Sequence, residues 1–199
     1  MSDRGAPSSW RLRSGTQSYF KNVPEYIEAY ISHADLVLGC VQGITNPAIL
    51  GILASRQCLL VVPNDDFNNQ TAASYSILRA APSKVLAEVI HGLRPARDNY
   101  NSPPIRCVGD RNVVPTFRMN HNFLCLFTRN SSGQFSCTGV LTGAFNLFDP
   151  RVTHGSLVLI REHYVESDHL EEFTRALCQS TEIGAGFEDG KYYIHGKST

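Results

Sequence analysis

The chain is defined first by what it lacks. No stretch approaches the ~20 apolar residues of a membrane span, and the N-terminal MSDRGAPSSWRLRSGTQSYF has no apolar core of the kind a signal peptide needs. There is no charge excess either: 18 lysines and arginines stand against 18 aspartates and glutamates. Net charge therefore cannot draw the chain to nucleic acid or anionic lipid, and any polyanion site has to be local. The six cysteines, Cys40, Cys58, Cys107, Cys125, Cys137 and Cys178, include no CxxC pair, which argues against a zinc ribbon or dithiol redox site and leaves them as reduced core thiols. No repeat, low-complexity run or linker interrupts the chain. A soluble, intracellular protein without a membrane span is the expectation.

What is present suits one compact fold. The 199 residues are 42% hydrophobic and 18% charged, enough to bury a sizeable core. The expected organisation is a flexible N-terminal arm over 1–20, a folded domain over 21–180 and a C-terminal tail over 181–199. Arg11 and Arg13 read as part of a solvated arm.

Within the domain, VPEYIEAYISHA places Val23, Ile27, Tyr30, Ile31 and Ala34 at helical spacing, with Asn22 as cap and Pro24 in the first turn. DLVLGCV and QCLLVVP are continuously apolar, the pattern of strands buried on both faces, and TNPAILGILAS between them reads as a helix capped by Thr45 or Asn46. That order is a βαβ unit. NDDFNNQ, Asn64 to Gln70, is a polar loop at a strand end, and TAASYSILRAA and SKVLAEVIHGL read as helices broken at Pro82. PIRCVG is a short strand. MNHNFLCLFT and GQFSCTGVLTG form two strands around an RNSSG turn, GAFNLFDPRVTHG a compact loop and SLVLIREH another strand. SDHLEEFTRALCQS is then a helix capped by Ser167 or Asp168, and the tail carries at most a short strand.

The succession of helix, buried strand, NPAI helix, LLVVPNDD strand, MNHNFLCLF, turn, VLTGAFNLFDP, strand and EEF helix resembles the phospholipase D superfamily, in its short, single-motif branch that includes nucleases. The resemblance runs from about Tyr26 to Cys178 and is tightest from Phe117 to Ile160. It implies an α/β fold, a mixed β-sheet flanked by helices on both faces. It also implies a homodimer, because single-motif relatives pair two chains about a two-fold axis to build one site.

The family's motif is H-x-K, four residues, D, then G-S-x-N. On a strand, residues i and i+2 share a face, so H-x-K aims an imidazole and an ammonium into one pocket, the first as nucleophile and the second to hold phosphoryl oxygens. Aligned on Met119 and Phe123, the histidine position holds Asn120, the lysine position Asn122 and the aspartate position Phe127. Gly143, Ala144, Phe145 and Asn146 match G-S-x-N except for the serine. An asparagine and an acidic residue that the family carries before the next strand fall nearest His154 and Ser156.

An asparagine amide cannot cycle a proton near neutral pH as an imidazole does, so the resemblance implies a pseudoenzyme. Asn120, Asn122, Gly143, Ala144, Asn146 and His154 then mark a degenerate motif or ligand cleft rather than catalytic residues. No cofactor and no metal are expected. A protein partner fits this reading, and a phosphate or nucleic-acid ligand fits it less well without the lysine.

The alternatives are a phosphodiesterase or nuclease working through His154 or a re-aimed His121, and a non-catalytic nucleic-acid-binding protein. By strand alternation His121 faces away from Asn120 and Asn122, beside Phe123 and Cys125, and only a bulge would turn it round. His121 with Cys125 and Cys137 reads as packing rather than as a metal site. The H-x-K letters of IHGK, Ile194 to Lys197, leave no room for the rest of the motif.

Overall fold

The computed structural model describes residues 15–63, 75–90, 104–108, 122–145, 147, 154–182, 187–188 and 191–192. Arg11, Arg13, the Asn64–Gln70 loop and the IHGK segment lie outside them.

A mixed sheet organises the chain. β1 (Gly15–Lys21), β2 (Leu36–Cys40), β3 (Gln57–Pro63), β4 (Arg79–Ala80), β5 (Ile105–Val108), β6 (Phe123–Arg129), β7 (Phe135–Thr142), β8 (His154–Arg161) and β9 (Thr181–Glu182) run in the order β1-β8-β7-β6-β2-β3-β5-β9, with β4 beside β3. β2, β3, β4 and β5 pair in parallel; β2–β6, β6–β7, β7–β8, β8–β1 and β5–β9 pair antiparallel. A separate two-stranded hairpin joins β10 (Phe187–Glu188) to β11 (Lys191–Tyr192).

All five residues of β2 are buried, which explains their unbroken apolarity: side chains alternate into two cores, and neither face meets water. One core joins Val37, Leu60, Leu124 and Leu126 to α1 (Val23–Ser32) and α2 (Pro47–Ala54). The other joins Leu38, Val61, Phe123, Cys125 and Phe127 to α3 (Ser83–Val89) and α4 (His163–Gln179), whose Phe173 is fully buried. The fold is α/β with helices on both faces of a mixed sheet.

Local chemistry fixes the helix starts. Asn22 caps α1 in the left-handed region, which asparagine tolerates, without a side-chain cap bond. Asn46 caps α2: its Oδ1 accepts from the backbone N–H of Ala48 at 2.9 Å and of Ile49 at 3.5 Å, and Pro47 follows, where a missing N–H costs nothing.

Three expectations are corrected. TAASYSILRAA is not one helix: its first four residues lie outside the described ones, Tyr75 is helical, the chain turns at Ser76 and Ile77, and Arg79–Ala80 joins β3, because the parallel edge at Gln57 and Cys58 offers the backbone a partner. Ser167 and Asp168 do not cap the last helix, which begins a turn earlier at His163 with Glu166 in its first turn, where an acid favours the helix dipole. The sheet also runs past 21–180 at both ends, through β1 on β8 and β9 on β5.

The cysteines are all free. Cys40, Cys58, Cys107 and Cys125 are buried and Cys137 is half-buried, whereas Cys178 is exposed at the end of α4 rather than in the core.

Candidate functional site

The site begins where β6 and β7 end together. Phe123 pairs with Thr142 at the last rung, so Asn122 and Gly143 stand side by side just beyond it. From Phe123 to Leu126 the ladder is regular; its irregularity falls between Leu126 and Phe127, where Thr138 of β7 is the extra residue and its hydroxyl donates to the Leu126 carbonyl at 3.2 Å. The bulge therefore lies in the middle of β6, past four regular pairs from Asn122.

The half-buried Asn122 side chain reaches across to the next strand's loop. Its Nδ2 donates to the Phe145 carbonyl at 2.7 Å and lies 3.5 Å from the Gly143 carbonyl, while Thr142 Oγ1 lies 3.4 Å from the Asn122 carbonyl. The amide is thus a bridge within the protein.

Gly143 has φ +138°, and a Cβ there would run into the Ser156 carbonyl oxygen. Ala144 is exposed, but its backbone is held on both sides: its N–H donates to Ser156 Oγ at 3.2 Å, and its carbonyl accepts from the Ser156 N–H at 3.0 Å. Ser156 of β8 thus anchors this loop through both its hydroxyl and its N–H. Gly155 keeps the approach open, since a Cβ there would come within 2.8 Å of the Ala144 carbonyl. Phe145 and Leu147 then plug the α1/α2 core, and the Leu147 carbonyl accepts from Thr45 N–H at 3.0 Å and Asn46 N–H at 2.9 Å. The GAFN loop is tied to β6, β8 and the α2 cap together.

A cleft of about 380 Å³ opens beside this bridge, lined by Asn122, Phe123, Thr142, Gly143, Asp168, His169 and Glu172. Sequence reasoning found Asn122 and Gly143 and missed the rest. His169 packs edge-on to Phe123 with ring centroids 5.0 Å apart, and its Nδ1 donates to the Val165 carbonyl at 2.7 Å. Neutral imidazole in that tautomer leaves Nε2 as an acceptor. Glu172 is held by Arg175 through two hydrogen bonds, 2.7 and 2.9 Å. The missed signal was periodicity: Asp168 and Glu172, and His169 and Glu172, have i,i+4 and i,i+3 spacing, so all three share one flank of α4.

Asn120, His121 and Asn146 lie outside the described residues. His154 opens β8 opposite Lys21. Phe127, the residue expected at the motif's aspartate position, is buried in the α3/α4 core. Among the described residues no group of three His, Cys, Asp or Glu side chains could hold a metal ion. Burial drives the Cys125 thiol well above its ordinary range and, chiefly, the Cys137 thiol to about 12, so both stay protonated where a metal would need thiolates. Among the described residues no helix is long and apolar enough to cross a membrane.

No family model matches the chain. It is 25% identical over 183 residues to the uncharacterized protein L381 of Acanthamoeba polyphaga mimivirus; the match takes in 78% of this chain and 62% of that protein's length. In structure it resembles Nuc, a phospholipase D family member from Salmonella typhimurium, with a TM-score of 0.54 and 13% identity over 84% of this chain and 98% of that one. It likewise resembles NucT from Helicobacter pylori, with a TM-score of 0.58 and 10% identity over 85% of this chain and 100% of that one. The fold is phospholipase D-like.

Proposed function

We propose that this chain is a catalytically inactive phospholipase D-like domain, a pseudoenzyme that works as a binding or assembly module and acts as a homodimer. The observation that carries the reading is Asn122. It occupies the motif's lysine position, it is neutral, and its amide is already spent on the Phe145 carbonyl at 2.7 Å. A phosphodiester held there would lose the charge-assisted bonds on which phosphoryl transfer depends.

The neighbouring cleft adds to the argument. Its described lining carries the carboxylates of Asp168 and Glu172 and no lysine or arginine. Arg175 pairs with Glu172, so the carboxylate of Asp168 is the one that would repel a phosphate at this cleft. The dimer follows from the family resemblance; its two-fold interface would be isologous, each GAFN loop facing the same surface of its partner.

The test is metal-independent cleavage of single-stranded DNA and of a generic phosphodiester by the purified chain, with its mass measured by sedimentation. The expected outcome is no turnover and a dimer. Turnover that is lost in His154→Ala or His121→Ala while folding is kept would overturn the reading in favour of a non-standard phosphodiesterase. Tight DNA binding that weakens steeply with salt would favour a nucleic-acid-binding protein instead.

A further inference from the structure

We draw no further inference here: the strongest candidate, the outer edge of β1 at the end of the sheet, with Phe20 exposed at its bulge, carries nothing, because nothing in the structure shows what covers it.

Discussion

Gly143 and Asn122 hold the same loop by different physics, and the difference can be measured. Gly143 combines φ +138° with a neighbouring carbonyl, that of Ser156, which would occupy the space of a Cβ. Alanine there must strain the backbone and push β8 away from the loop. Strain at such a φ alone costs about 1–3 kcal/mol, and the steric overlap adds to it. Asn122→Ala removes one good hydrogen bond from a half-buried site, worth about 1 kcal/mol. Urea unfolding should therefore rank Gly143→Ala clearly below Asn122→Ala, and both below the parent protein. Equal midpoints for Gly143→Ala and the parent would mean that the GAFN loop is not held against Ser156 in solution.

Among the strands, β2 and β1 stand at opposite extremes of stability. β2 is flanked by β3 and β6 and buried along its length, whereas β1 has β8 as its neighbour in the sheet and shows most of its side chains to solvent. Its hold on the core is Tyr19, which stacks on Tyr26 with centroids 4.1 Å apart and shares a 2.6 Å hydroxyl contact with Tyr30. Native-state hydrogen exchange should accordingly show β1 amides opening locally while β2 amides exchange only through global unfolding. Protection in β1 equal to that in β2 would contradict this picture. The same contrast decides what the sequence reveals. DLVLGCV is legible because burial on both faces leaves an unbroken apolar run; GTQSYFK is not, because an edge strand exposed on its surfaces has the composition of a loop. NPAILGILA announces itself through the Asn46 cap and Pro47, but HYVE at the head of α4 carries no cap signal, and Tyr164 is 84% exposed. Asn122 and Gly143 could be read from the motif register, since each sits at a fixed offset from the apolar strand beside it. Asp168, His169 and Glu172 could not be joined to them, because their place in the cleft depends on how α4 crosses the sheet.

For the molecule as a whole, the buried thiols set an alkaline limit on stability. Desolvation raises the pKa of Cys40 and Cys125 well above the ordinary value of 9.0 and is the main cause that pushes Cys58 and Cys137 to about 12. Because the neutral thiol is the form the core accepts, the sign is fixed. Below about pH 9 the folded and unfolded chains both carry protonated thiols, and these groups add no pH dependence. Between about 9 and 12 the unfolded chain ionises while the folded chain does not, so the unfolded state binds fewer protons and stability falls as pH rises. Each such thiol can contribute a slope of up to about 1.4 kcal/mol per pH unit. The urea midpoint should hardly move between pH 7 and 8 on account of the thiols, and then drop progressively from pH 9 to 10.5. Cys58→Ala costs some packing at every pH but should flatten the alkaline slope by close to one thiol's share, because it removes a single raised group from the α1/α2 core. If Cys58→Ala and the parent lose stability in parallel above pH 9, alkaline unfolding has another origin, and the thiol at position 58 ionises in the folded chain as readily as in the unfolded one.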